Sequence, residues 1–482
     1  AWTIPDSIGA TVRVKVTHTG DATVNDASNA NFEVKGSVTV TSPNGTEVWV
    51  VGASQNLTWT RTGSFANVKL EYSTNAFANE LQTTVISAST AADPLPTDNA
   101  GTYAWTVPDA IGATVRVRIS DVADGATVDT SNANFKIVGS LTLSAPNGDP
   151  DGGGPLTEER WTVGSSQNVT WTKVGAIANV KLEYSADGGT SYPNIIIAST
   201  AAATGAYAWT LPDSIGTNRK VRVSDASDAT VLDTSDNNFT IKAGFTSVVP
   251  AGGEVWTVGS AQTLSWTTAG TAVNVKLEYS TDGGTSYPNV IIATTPNTGT
   301  YAWTVPDSIT TLARLKVSDV LNANAFGTSA GNFKIRGALT LTAPNGGQAW
   351  TYNTSQTVAW TRVGSIANVK LEYSTDGGTT YPSVIIASTP ADPLPADNAG
   401  TYAWTIPDAL TLQARVRVLD ASDATVLDAS DANFTIQGTL TLTAPNGTEV
   451  LVVGAAQNIT WTKTGSIATV KLEYSTNAGV TY

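Results

Sequence analysis

A module of about a hundred residues recurs along this chain, and this periodicity constrains the fold more than any other feature. The phrase NVKLEYS begins at Asn67, Asn179, Asn274 and Asn368, and a variant of it begins at Thr469. A second phrase, YAWTxPD, follows in each copy, and the chain begins inside one of them. A period of this length is that of a whole domain rather than one turn of a solenoid. The sequence therefore predicts a string of near-identical domains.

The repeat divides the chain into four whole domains and two partial ones. We predict whole domains at residues 37–138, 139–242, 243–336 and 337–437, with late strands of a further domain at 1–36 and early strands of another at 438–482. A single glycine joins neighbouring copies, at Gly36, Gly139, Gly244, Gly337 and Gly438. A flexible linker would be longer and rich in Gly and Ser. We therefore expect an extended, semi-rigid rod.

Each repeat has the pattern of a small β-sandwich. In 274–280 the apolar residues Val275, Leu277 and Tyr279 alternate with Lys276 and Glu278, which indicates a half-buried strand. Seven or eight such short strands, with no helical periodicity, predict an all-β, immunoglobulin-like sandwich. Its charged positions on adjacent strands are expected to form a cross-strand ladder. We expect the Trp before NVKLEYS to be buried in every copy: Trp59, Trp171, Trp266, Trp360 and Trp461.

Composition excludes several classes of function. Only 14% of residues are charged and the net charge is −14, which argues against a nucleic-acid partner. The chain has no Cys, so disulfides and thiolate metal sites are excluded. No apolar run approaches the roughly 20 residues that a membrane helix needs, so we predict no membrane insertion. The abundance of Thr, Ser, Ala, Val and Gly is typical of an extracellular β-protein.

Candidate chemical groups are few. The chain has one histidine, His18, so a zinc site or a catalytic triad is not expected. Two aspartates recur in each whole repeat, one after Pro and one after a strand, and their positions favour turn and cap roles. We predict no catalytic residue and no cofactor other than calcium. The calcium candidates are Asp225 and Asp228 in one Asp-rich segment, and Asp149 and Asp151 in an insertion.

Loops and chain ends are the predicted contact regions. Repeats one and four carry longer acidic, proline-containing loops at 93–99 and 392–398, which we expect to make lateral contacts. The hairpin Ser280-Thr-Asp-Gly-Gly-Thr-Ser-Tyr is expected to be a fold-stabilising turn. The partial domains leave two alternatives open. Either the chain is a stretch of a longer array, or the end of one copy completes the start of the next.

The pattern PNGGExW, GSxQTxxWT, NVKLEYSTDGGTSY, YAWTVPD and SDANFTI resembles a known domain. It is similar to the β-sandwich domain of Ser/Thr-rich, GPI-anchored yeast cell-wall proteins involved in glucan assembly. Similar domains occur in tandem in large secreted bacterial and archaeal surface proteins. The resemblance covers nearly the whole chain, implies an extracellular or wall setting, and carries no catalytic motif.

These observations predict a non-enzymatic extracellular structural protein that builds a surface fibre, sheath or surface layer. The alternative is an adhesin or carbohydrate-binding stalk that presents a distant functional domain. The expected partners are other copies of the chain, head-to-tail or lateral, and cell-wall polysaccharide.

Overall fold

The computed structural model describes residues 1–94, 98–148, 159–393 and 397–482. The chain divides into two compact units, Ala1–Lys242 and Ala243–Tyr482. Across the described ranges the regular structure is β-strand, apart from two short 3-10 turns at Glu80–Gln82 and Ala202–Thr204. No helical segment in these ranges has the length and apolarity needed to cross a bilayer. The prediction of an all-β fold is confirmed.

In the described part of each whole repeat there are nine strands, labelled β1 to β9 in chain order. In repeat one they are β1 Ser37–Ser42, β2 Val48–Val50, β3 Ser54–Thr62, β4 Asn67–Ser73, β5 Thr83–Ala91, β6 Ala100–Thr106, β7 Gly112–Asp121, β8 Val128–Thr130 and β9 Phe135–Val138. In repeat two they are Ser140–Ala145, Arg160–Thr162, Ser166–Val174, Asn179–Ser185, Asn194–Ala201, Ala206–Thr210, Gly216–Asp225, Leu232–Thr234 and Phe239–Lys242.

The second unit repeats this order. In repeat three the nine strands are Gly244–Val249, Val255–Thr257, Ala261–Ala269, Asn274–Ser280, Asn289–Pro296, Thr300–Thr304, Thr310–Asp319, Phe326–Thr328 and Phe333–Arg336. In repeat four they are Ala338–Ala343, Ala349–Thr351, Ser355–Val363, Asn368–Ser374, Ser383–Pro390, Ala399–Thr405, Thr411–Asp420, Leu427–Ala429 and Phe434–Gln437. The strand beyond the predicted seven or eight is β8, whose three residues are too few to show an alternating pattern.

Two sheets pack face to face in every repeat. The smaller sheet has the order β6-β3-β1, and the larger has the order β2-β9-β7-β4-β5 with β8 also paired to β7. The pairs are antiparallel except β2 with β9, which run parallel. Sheet neighbours such as β3 and β6, or β2 and β9, are far apart along the chain, as in the Greek-key connections of an immunoglobulin-like sandwich. The predicted immunoglobulin-like sandwich is confirmed by the strand order within each repeat.

The core follows the predicted alternation. On β4 of repeat three, Val275, Leu277 and Tyr279 are buried, whereas Lys276 faces outward. The tryptophan of β3 is buried in all four whole repeats, and its indole N–H is satisfied inside the core. In repeat one, Trp59 Nε1 donates to the carbonyl oxygen of Ala92 at 2.9 Å. In repeat three, Trp266 Nε1 donates instead to Asn297 Oδ1 at 2.7 Å.

The prediction that Trp461 is buried is wrong. This tryptophan remains 38% exposed, because 438–482 contributes only Thr439–Ala444 and Thr460–Thr464 as strands and no second sheet to cover them. The other partial domain is similarly open. It consists of Gly9–Val12, Lys15–His18, Asp21–Ala27 and Phe32–Val34, with Trp2 packed edge-on against Phe32 at 6.4 Å and still 56% exposed.

Candidate functional surfaces

In four of the Pro-Asp pairs, those of Asp6, Asp109, Asp307 and Asp408, the aspartate binds the following domain rather than its own turn. Asp307 of repeat three accepts hydrogen bonds from the backbone N–H of Ser365 at 2.9 Å and from its hydroxyl at 2.5 Å, in repeat four. Asp408 and Ser466 repeat this arrangement at the next boundary. In the first unit the partners are Asp6 with Ser64, and Asp109 with the backbone N–H of Ala176. We call this contact the joint.

Glycine precedes the bonded residue at each of these joints and permits the close approach. Gly364 has φ of 82°, and a Cβ on it would lie 3.0 Å from a methyl of Val258 and 3.3 Å from the Asp307 carboxylate. Gly175 at the joint of repeats one and two is similar, with φ of 87°, and a Cβ on it would lie 3.3 Å from Asp109 Oδ1. Both the left-handed backbone and the lack of a side chain are required there.

A second contact crosses three of these four boundaries. Lys136 on β9 of repeat one pairs with Asp228 in the β7–β8 turn of repeat two. Lys334 pairs with Asp423 in the same way between repeats three and four, and Lys35 lies 3.4 Å from Asp124. Hydrogen bonding from Lys136 and Thr230 holds the pKa of Asp228 below its ordinary range. Ion pairs between such partly exposed side chains contribute little to stability, but where the joint and the ion pair occur together they restrict the orientation of the second domain.

The calcium candidates occupy other roles in the structure. Asp225 Oδ1 accepts hydrogen bonds from the backbone N–H and the hydroxyl of Ser227, at 2.8 and 2.7 Å. It therefore has the turn role predicted for the recurring aspartates. Asp228 belongs to the ion pair with Lys136. Asp149 and Asp151 lie outside the described residues. Within the described ranges no three His, Cys, Asp or Glu side chains are grouped closely enough to hold a metal ion.

The predicted hairpin turn is stabilised by its own side chains. In repeat three, Asp282 Oδ1 accepts from the Ser280 hydroxyl and from the Ser286 backbone N–H, the latter at 3.0 Å, and Oδ2 accepts from the Ser286 hydroxyl at 2.6 Å. These donors hold the pKa of Asp282 far below its ordinary range. The carboxylate is thereby committed to closing the turn between β4 and β5.

The outer face of the larger sheet carries a ladder of charges. In repeat two, Glu183 Oε1 lies 2.6 Å from Lys181 Nζ, and Glu183 Oε2 lies 2.7 Å from Arg222 Nη2. The Arg222 guanidinium also stacks over the Tyr192 ring of the hairpin, 4.4 Å from its centroid. The predicted cross-strand ladder is present in all four repeats, as Lys69-Glu71-Arg118, Lys181-Glu183-Arg222, Lys276-Glu278-Lys316 and Lys370-Glu372-Arg417.

Repeat one departs from this pattern at the hairpin. Its longer β4–β5 connection supplies Glu80, whose carboxylate binds Arg118 through Nη1 at 2.9 Å and Nη2 at 3.0 Å. Phe77 replaces the tyrosine and lies 4.5 Å from the Arg118 guanidinium carbon. A groove of about 440 Å³ lies against this ladder, lined by Lys69, Arg118 and residues of β7 and the β7–β8 turn.

The long loops are anchored by a buried ion pair that sequence reasoning missed. Asp93 is bound by Arg61 Nη2 at 2.9 Å, and its side chain is only 2% exposed. Arg362 and Asp392 form the same pair in repeat four at 2.8 Å. Residues 95–97 and 394–396 at the centres of these loops lie outside the described residues. The signal was available, since only the repeats with long loops have arginine at this position of β3.

The four whole repeats share one sandwich topology, and within each unit an aspartate joint connects successive repeats. The chain therefore belongs to the class of tandem immunoglobulin-like arrays. No protein-family model matches the chain, and no curated protein matches it either. Among solved structures it is similar to the N-terminal four Ig domains of Dscam1 isoform 6.44, at 10% identity and a TM-score of 0.23, covering 84% of this chain and 100% of that one.

A further match is to the fibronectin(III)-like modules of CbhA from Clostridium thermocellum. Their identity to this chain is 19% and the TM-score is 0.16, covering 42% of this chain and 94% of that one. At such low TM-scores the assignment of the fold rests on the strand order and register of the chain itself.

Proposed function

We propose that this chain is a non-enzymatic structural protein of the cell surface, whose tandem domains build a fibre, sheath or surface layer. The observation that carries the proposal is the joint: an aspartate from one domain binds a backbone N–H of the next, at Asp6, Asp109, Asp307 and Asp408. A protein whose domains act independently has no need of such boundaries, whereas a load-bearing or spacing element does.

An extracellular or wall setting fits the Thr- and Ser-rich composition and the resemblance to yeast cell-wall domains. Absence of enzymatic activity is supported by the recurring aspartates, since Asp121, Asp225, Asp319 and Asp420 each accept a backbone N–H two residues further on. These carboxylates are committed to turns, and the Pro-Asp carboxylates described above are committed to joints. Neither set converges on a cleft, as acid–base catalysis requires.

We propose other copies of the chain as its main partners, head-to-tail or lateral. Trp2 and Trp461 lie on half-sandwiches whose apolar sides are open within the single chain. Residues 1–36 supply late strands of a sandwich and residues 438–482 supply early strands, so each segment provides what the other lacks. Either the complementary segment of another copy or a continuation of the same array would cover their open sides.

Negative-stain and cryo-electron microscopy of the purified native protein tests this function. Filaments or ordered layers in which the domains repeat along one axis are the expected result. Monodisperse single chains at every concentration, with isolated domains in variable orientations, would contradict the structural role. They would favour the alternative, an adhesin or carbohydrate-binding stalk.

A further inference from the structure

The cations of this acidic protein are concentrated on one kind of surface. The outer face of the larger sheet carries three per repeat, one on β4 and two on β7; in repeat two these are Lys181, Lys220 and Arg222. Over four repeats this is close to half of the 26 lysines and arginines in a chain of net charge −14. Within one ladder a single carboxylate, such as Glu183, opposes them. The face therefore attracts anions.

Repeat one shows what this face binds. The Glu80 carboxylate takes two N–H donors of Arg118, beside the Phe77 ring that stacks on the same guanidinium. This is the bidentate geometry in which guanidinium recognises a carboxylate. In effect, the chain supplies its own anion to the ladder of repeat one.

Repeats two and four keep the arginine and the ring without that carboxylate. Arg222 uses Nε and Nη2 for Glu183, at 3.1 and 2.7 Å, and within the described residues its Nη1 donates to no protein acceptor. Arg417 binds Glu372 in the same way beside Tyr381. Repeat three has Lys316 near Tyr287 at the equivalent place. Each hairpin there is the short Asp-Gly-Gly turn, which brings no glutamate to the site.

We propose that the ladders of repeats two, three and four are binding sites for the carboxylates of an acidic polysaccharide. The tyrosine ring beside the cation is partly exposed, so a sugar that places its carboxylate on the cation also packs against this ring. A polymer with a carboxylate on every residue presents many copies of this ligand, and each ladder binds it as a separate site. The proposal deepens the cell-surface function given above and rests on it for its setting.

Binding of the full chain to immobilised polygalacturonate, measured by biolayer interferometry at low salt, tests this inference. We expect binding that weakens with added NaCl, as contacts between exposed charges do, and no binding to neutral dextran. The triple variant Arg222→Gln, Lys316→Gln, Arg417→Gln should bind at least about tenfold more weakly, because each of the three proposed sites loses a hydrogen bond to a charged group. A control with the same change in net charge, Lys15→Gln, Arg336→Gln, Lys463→Gln, should retain most of the affinity.

A gain-of-binding variant keeps the test independent of folding. Glu80 is exposed, so Glu80→Gln leaves the fold intact while freeing Arg118, and it should strengthen binding to polygalacturonate. No binding at low salt, equal loss in the triple variant and its control, or no gain with Glu80→Gln would overturn the proposal. Tighter binding to polyaspartate than to polygalacturonate would overturn the polysaccharide assignment in favour of an acidic protein segment. These measurements use a purified polymer and do not depend on assembly. A negative binding result therefore contradicts only the ladder proposal, whereas the absence of filaments in electron microscopy contradicts the structural function.

Discussion

The carboxylate of Asp307 accepts the backbone N–H of Ser365 at 2.9 Å, although the two residues lie 58 positions apart and in successive domains. The Pro-Asp pair that ends β6 of one repeat thus caps the β3–β4 loop of the next. Because the donor is a backbone group, the contact survives the replacement of serine by Ala176 at the joint of repeats one and two.

Removing this acceptor should loosen one joint without unfolding either domain. In Asp307→Ala, we expect the Ser365 amide to exchange its hydrogen much faster, with little change in the unfolding of repeats three and four. Hydrogen exchange with mass spectrometry on the full chain measures both. The matched control is Asp319→Ala, which removes a turn bond inside repeat three and should destabilise that repeat by about 1 kcal/mol. Unchanged exchange at Ser365 in Asp307→Ala would mean that the joint is held by packing alone.

The tryptophan of β3 should contribute much more to the free energy of unfolding in a whole repeat than at the equivalent position of the partial domain 438–482. Trp266→Ala removes a 5% exposed side chain from a closed core, and we expect a loss of about 3–5 kcal/mol in the free energy of unfolding of repeat three. Trp461→Ala, at the equivalent and 38% exposed position, should change stability by less than about 1 kcal/mol in the isolated chain. Chemical denaturation followed by exchange of peptides from each domain resolves the two. Equal losses would show that Trp461 is covered in solution by a neighbouring copy.

Removing only one partner of the buried ion pair at the base of the long loop should strongly destabilise its repeat. Arg362→Met leaves the Asp392 carboxylate, 3% exposed, without its partner, so we expect repeat four to lose roughly 3–5 kcal/mol of stability. Replacing both residues, with Arg362→Met and Asp392→Asn, removes both charges and should recover most of that loss. Thermal unfolding of the three proteins provides the comparison. A double variant as unstable as the single one would point to packing of the arginine stem as the main contribution.

Acid should release the ion pair between repeats one and two. The pKa of Asp228 is held below its ordinary value of 3.8, first by the hydrogen bond from Lys136. A carboxyl with a depressed pKa in the native state stabilises the contact fully above its ordinary value, and this stabilisation is lost as the pH falls through the depressed pKa. The contact should therefore be intact from neutral pH down to about 5 and weaken below about 4.

An NMR titration of the Asp228 side-chain carboxyl measures this effect. Lys136→Met should raise the pKa of Asp228 toward the ordinary value, while that of Asp187, which is depressed by donors of its own hairpin, stays unchanged. Identical titration of Asp228 in both proteins would show that Thr230 alone accounts for the depressed pKa.

Much of each domain was predictable because its determinants are local. The alternation of Val275, Leu277 and Tyr279 with charged residues specifies which side of β4 is buried, and Asp-Gly-Gly specifies the turn that follows it. The charge ladder also followed from this alternation, since Glu278 and Lys316 are direct partners across the strands. In contrast, the three residues of β8 carry no periodic signal, and only their pairing with β7 makes them a strand.

By itself the sequence determined the repeat period, the all-β class and the buried side of each longer strand, because these depend on spacing along the chain. Only the tertiary structure decided which aspartates serve a turn and which serve the next domain, since both Asp319, at the end of a strand, and Asp307, just after one, stand at positions typical of turn residues. It also decided that Glu80 reaches Arg118, and that Asp93 is buried against Arg61, a pair whose one signal in the sequence is the arginine shared by the two repeats with long loops. These contacts join residues from different loops and strands, and their existence depends on how two sheets pack and how one domain meets the next, which no local pattern encodes.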